Sequence, residues 1–201
     1  MLEKYVVFTG RPNAGKSSII KEIFGLDVRI GKKPGTTRRI SEYPLGKGLI
    51  LVDMPGYGKV LRVTKRFQDK TNRRTIYFLE SHAARIALAV HVLDISTFVE
   101  VTKSLEKKNF ISVDVEMIQL LAKILGEFPL VAANKSDKAG KVELETNLTE
   151  FINHLGSCDS SVNKNCIFPV SAKTREGVGT LKNAIHEKLV LKGYRTPFKP
   201  H

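Results

Sequence analysis

The chain has 201 residues, 42% of them hydrophobic and 26% charged, which is the balance of a globular protein with one substantial core. No apolar run approaches the roughly 20 residues that cross a bilayer, and residues 1–9 lack a basic head before an apolar stretch, so neither a membrane span nor a signal peptide is expected. The formal net charge of +13 points to nucleic acid or an anionic surface as partner, with a solvated basic surface as the plain alternative.

In chain order, Tyr5 to Thr9 reads as a first strand, followed by Ile19, Ile20, Ile23 and Phe24 at helical spacing on one face. Arg39 to Pro44 and Leu49 to Asp53 form a hairpin pair around the turn Leu45-Gly46-Lys47-Gly48. Tyr57 to Ser81 reads as a loop leading into a helix. Arg85 to Asp94 is the most apolar stretch and is expected as a central strand. The charged segment Ser96 to Asn109 is expected to be partly helical. Asp114 to Glu127 is predicted as a helix with Met117, Leu120, Leu121 and Leu125 inward. Two buried strands follow at Leu130 to Ala133 and Ile167 to Val170, and a closing helix runs from Gly177 to Leu191, burying Leu181, Ile185 and Leu189. Strands alternating with helices predict an α/β fold around a mostly parallel sheet. One domain is expected over residues 1–191, with a basic tail at 192–201 that lacks regular structure. Cys158 and Cys166 have no zinc-site spacing and read as free thiols of a reducing cytoplasm. No ligand role is assigned to any of the five histidines.

The sequence Gly10-Arg11-Pro12-Asn13-Ala14-Gly15-Lys16-Ser17-Ser18 fits G-x-x-x-x-G-K-[ST] between a strand and a helix. Glycine lets the backbone wrap phosphates, and the consecutive N–H groups and helix N-terminus supply positive potential. Lys16 is expected on the β- and γ-phosphates and Ser17 on magnesium. Asp53-Met54-Pro55-Gly56 follows the third strand, with Asp53 expected to hold magnesium through water and the Gly56 N–H to meet the γ-phosphate.

The base is decided by Asn134-Lys135-Ser136-Asp137. A buried Asp137 carboxylate accepts from guanine N1–H and the 2-amino group, and against adenine it goes unpaired, which discriminates strongly. Asn134 is expected to brace the loop and Lys135 to cover one face of the base. Ser171-Ala172-Lys173 adds the Ala172 N–H for guanine O6 and the Lys173 methylenes over the ring. The basic loop from Lys32 to Arg39, with Gly35, Thr36, Thr37, Arg38 and Arg39, carries the switch hydroxyl. Thr37 is the choice for closing on magnesium and Thr36 the alternative.

With these elements in order the chain resembles the Ras-like P-loop GTPases. Val52-Asp-Met-Pro-Gly-Tyr-Gly58 is similar to the D-L-P-G-Y-G switch of the EngB (YihA) family, and Val113-Asp-Val-Glu-Met117 is similar to the segment that family carries after its central strand. Lys59-Val60 stands where bacterial members read Tyr-Ala, which points to an archaeal-type member. The resemblance implies a three-layer G domain: a six-stranded, mostly parallel sheet with one antiparallel edge strand and five main helices on both faces. It implies Ser17, Thr37 and Asp53 as magnesium ligands, and a role in large ribosomal subunit assembly, with cell division and septation apart from ribosomes as the alternative. Lys16, Thr37 and Gly56 are the expected catalytic groups. Asn13 resembles the asparagine that binds an activating potassium ion in related GTPases; the plain alternative is that it braces the loop. Where Ras-type enzymes place a water-orienting glutamine, Tyr57 stands here, so slow hydrolysis of GTP to GDP is expected, with Tyr57 turned away.

Thirteen Lys or Arg against four Asp or Glu lie between Asp27 and Thr75. So many cations near the nucleotide-sensing loops favour ribosomal RNA or a ribosomal subunit as partner through backbone contacts, over an ordinary solvated face. A cytoplasmic monomer that binds no membrane is expected.

Overall fold

The computed structural model describes residues 3–26, 40–57, 65–107, 111–156 and 163–198. Six strands, β1 (Lys4–Gly10), β2 (Ser41–Gly46), β3 (Leu49–Asp53), β4 (Ile86–Asp94), β5 (Leu130–Asn134) and β6 (Ile167–Pro169), form one sheet in the order β2-β3-β1-β4-β5-β6. Only the β2–β3 pair is antiparallel; the remaining pairs are parallel. Six α-helices accompany them: α1 (Lys16–Phe24), α2 (Lys65–Ser81), α3 (Phe98–Glu106), α4 (Val113–Leu125), α5 (Lys141–Gly156) and α6 (Val178–Leu191).

Both faces of the sheet are covered, which is why its central strands read as unbroken apolar runs rather than alternating ones. Val6, Phe8, Leu51, Leu88, Val90 and Ala132 face α1 and α6, packing with Ile19, Ile20, Ile23, Leu181, Ile185 and Leu189. Their neighbours Tyr5, Val7, Val52 and Ala89 turn to the other face, against Leu79 of α2 and Met117 and Leu121 of α4. A third cluster joins Leu93 and Val131 to Phe98, Ile118 and Phe151. The parallel pairing sends β1, β3, β4, β5 and β6 in one direction, so the loops after them share one edge of the sheet.

Two expectations are corrected, and one helix was not expected. α4 ends at Leu125, not Glu127, because Gly126 takes the left-handed conformation at φ 68° and returns its N–H to the Ala122 carbonyl. Lys141–Gly156 is a full helix that the periodicity did not announce. With it the described residues hold six α-helices rather than five, while α3 lies within the charged segment that was expected to be partly helical. The tail lacks regular structure through residue 198, yet it is packed: Phe198 lies 5.4 Å from Phe24 between ring centroids, and the Thr196 carbonyl accepts from Lys47 Nζ at 2.9 Å.

Candidate nucleotide-binding site

Four loops meet at the carboxyl edge of the sheet. The first follows β1. Gly10 sits so close to β4 that a Cβ there would lie 2.3 Å from the Val92 carbonyl oxygen. Asn13 adopts φ 66°, a left-handed conformation that asparagine tolerates better than most residues, and its side chain is exposed. Gly15 caps α1 at φ 94°, and a Cβ on it would stand 2.1 Å from Asn134 Nδ2. The loop therefore closes as a tight cradle that opens into the N-terminus of α1, whose first turn carries Lys16, Ser17 and Ser18.

Asp53 ends β3 beside Phe8 of β1, and the Met54 N–H donates to the Phe8 carbonyl at 3.0 Å. Its carboxylate pairs with the Lys16 ammonium; the side chains are 3% and 6% exposed. Burial pulls Lys16 below its ordinary value and the Asp53 carboxylate pulls against that shift. Pro55 is buried, and Gly56 lies against the cradle so closely that a Cβ would fall 2.8 Å from the Pro12 nitrogen. Magnesium prefers hard oxygen donors and keeps several waters. The Ser17 hydroxyl and the Asp53 carboxylate, whose charge is aimed at the cradle, fit that ion.

Asn134 ties the cradle to the far loops. Its Nδ2 donates to the Ala14 carbonyl at 2.8 Å, and its Oδ1 accepts from the Ala172 N–H at 3.0 Å. Lys135 stands in the left-handed conformation at φ 66°, its ammonium 2.5 Å from Asp94 Oδ2. Asp137 is exposed rather than buried, because Ser136–Lys138 forms a single 3₁₀ turn at the rim. Its Oδ1 accepts from the buried Ser171 hydroxyl at 2.6 Å. Ser171 Oγ also accepts from the Thr174 N–H, so one side chain orders both base loops. The Ala172 N–H expected on guanine O6 is engaged by Asn134, so it would reach the base only as a shared donor. Lys173 is exposed. Gly35, Thr36, Thr37, Arg38 and Arg39 lie outside the described residues, as does Cys158; Cys166 is a buried free thiol.

Sequence reasoning missed a polar cluster behind the cradle. His91, fully buried in β4, has Nε2 3.1 Å from Asp114 Oδ1 and Nδ1 3.0 Å from both Thr9 Oγ1 and Tyr57 Oη. Asp114, itself fully buried, pairs its other oxygen with Arg11 Nε at 2.7 Å, in an ion pair not aligned as a hydrogen bond. Its place in the first turn of α4 adds the favourable end of the helix dipole. Burial, with the Asp114 carboxylate, pushes the Tyr57 phenol well above its ordinary value, so it remains a donor. Tyr57 is turned inward, 3% exposed, as the sequence led one to expect. A single histidine interrupting an apolar strand was the available signal.

A strand–loop–helix cradle, an aspartate ending the neighbouring strand, and base loops after β5 and β6 define a P-loop GTP-binding protein of the GTPase class. A family model described as "50S ribosome-binding GTPase" matches residues 5–135. Among curated relatives, the probable GTP-binding protein EngB of Methanosarcina mazei is 39% identical over 185 residues, covering 92% of this chain and 87% of that protein. That of Methanopyrus kandleri is 37% identical over 192 residues, covering 94% of each. The crystal structure of a probable GTP-binding protein EngB superposes with a TM-score of 0.80 at 33% identity, covering 93% of this chain and 99% of that one. The chain belongs to the EngB family of GTP-binding proteins, and both curated relatives named above are archaeal.

Proposed function

We propose that the chain is a magnesium-dependent GTP switch that acts on the large ribosomal subunit in the cytoplasm. The observation that carries the reading is the convergence of the phosphate cradle and the base loops at one edge of the sheet, with the basic helix α2 lining a cleft together with Tyr57, the residue after Gly56. That helix exposes Arg73, Arg74 and Tyr77, the last at 73%. The family description adds weight for a ribosomal partner, and no helix among the described residues is long and apolar enough to cross a membrane.

In this reading Lys16 exchanges its Asp53 partner for β- and γ-phosphate oxygens. Ser17, Asp53 and Thr37 would hold magnesium, which neutralises developing phosphate charge. The Gly56 N–H meets the γ-phosphate, the Asp137 carboxylate takes guanine N1–H and the 2-amino group, and Lys135 and Lys173 flank the base. Because the Tyr57 hydroxyl is committed to His91, the residue after Gly56 does not orient water, and intrinsic hydrolysis is slow. Asn13 either helps hold potassium or serves the left-handed turn; equal turnover in potassium and sodium buffers would remove the first role.

The test is sedimentation with ribosomal subunits in GTP analogue and in GDP over a range of salt. The expected result is association with the large subunit that depends on the triphosphate and weakens steeply with salt. Equal association in both nucleotides, or none at low salt, overturns the ribosomal role.

A further inference from the structure

We propose that His91 and Asp114 form a latch that sets the separation of Gly56 from the P-loop, acting through Tyr57 on one side and Arg11 on the other. The inference rests on the GTP-switch reading of the site. Gly56 and Pro12 are in close backbone contact. The residue on the far side of each, Tyr57 and Arg11, is fastened to the same buried pair. Gly56 therefore cannot withdraw from the cradle without stretching the Tyr57–His91 bond, and the cradle cannot shift without disturbing Arg11 and Asp114.

The hydrogen bonds fix how the latch is wired. Asp114 accepts from His91 Nε2–H, which leaves Nδ1 as the acceptor facing Tyr57 and Thr9. Thr9 Oγ1 stands 3.0 Å from the same Nδ1, so the end of β1 is part of the unit. A fully buried carboxylate needs its partners, here Arg11, His91 and the start of α4, which makes the arrangement all-or-none rather than graded. The Tyr57 ring also lines a cleft of about 130 Å³ between α2 and α4, with Asn72, Ile76, Met117 and Leu120. Release of the ring is thereby felt by the basic helix. His91 and Asp114 are positioning residues: they act on γ-phosphate recognition through Tyr57 and Arg11.

The test measures affinity for a non-hydrolysable GTP analogue and for GDP in Tyr57→Phe, His91→Gln and the double variant. Tyr57→Phe keeps the ring and removes only the hydroxyl. Losing that bond is expected to lower the preference for the GTP analogue about ten-fold while GDP affinity stays within about two-fold. The double variant is expected within about two-fold of the single ones, since both break one connection. Phe151→Leu in α5, a destabilising change remote from the site, is expected to leave the preference unchanged. An unchanged preference in Tyr57→Phe, or equal loss for both nucleotides in step with the melting temperature, overturns the latch. A wild-type chain that binds neither nucleotide overturns the reading of the site, and the latch with it.

Discussion

The Ser171 hydroxyl donates a 2.6 Å hydrogen bond to Oδ1 of Asp137, joining the loops after β5 and β6. Asp137 stands at the rim, so its orientation comes from this bond and not from burial. Ser171→Ala is expected to weaken GTP and GDP alike by about ten-fold, the value of one bond to a charged group. Asp137→Asn replaces an acceptor with a donor and should transfer preference to xanthine nucleotides, which carry an oxygen where guanine carries its amino group. Competition binding with the two bases checks both outcomes.

Gly15 faces Asn134 with no room for a methyl group, at a φ that L-residues rarely adopt. Gly15→Ala must push Asn134 off the Ala14 carbonyl and the Ala172 N–H together. Nucleotide binding is expected to fall at least about 100-fold, with about 2 kcal/mol of stability lost to strain and broken bonds. Titration calorimetry and urea unfolding measure the two effects separately.

Lys16 and Asp53 compensate each other in a nearly dry site. Lys16→Met leaves a buried carboxylate without a cation and is expected to cost about 3 kcal/mol in unfolding experiments run without nucleotide. Adding Asp53→Asn should recover most of that stability while binding stays lost. A double variant no more stable than Lys16→Met would show that the pair contributes little.

His154 of α5 pairs with Glu106 of α3 at 2.8 Å. Burial works to lower the His154 pKa, but the bonds to Glu106 and the Glu150 carbonyl outweigh it and leave it above the ordinary 6.5. A raised folded value means that the pair stabilises in full below 6.5 and loses that contribution as pH rises through the folded value. Glu106→Gln should therefore destabilise measurably near pH about 6 and hardly at all near pH about 8, a difference that melting curves detect.

The parts of the fold written in apolar periodicity were legible. Ile19, Ile20 and Ile23 on α1, and Leu181, Ile185 and Leu189 on α6, are buried as their spacing required. α5 escaped because it buries only Asn147, Phe151 and Leu155 and presents polar residues elsewhere, leaving a weak stripe. The site motifs were legible because each needs a particular residue at a particular offset from a strand end. The His91–Asp114 unit was not, since its five members come from four separate segments and meet only through packing. Asp137 was misjudged for a related reason: local sequence specifies the 3₁₀ turn, but its distance from the sheet edge is a tertiary property.

One edge of the sheet reads a guanine base and a triphosphate together. Calorimetric titration of the purified chain with GTP and with ATP, with magnesium present and then chelated, tests it most directly. The account predicts GTP binding at least about 100-fold tighter than ATP, weakened by chelation. Equal affinity for the two nucleotides would contradict it.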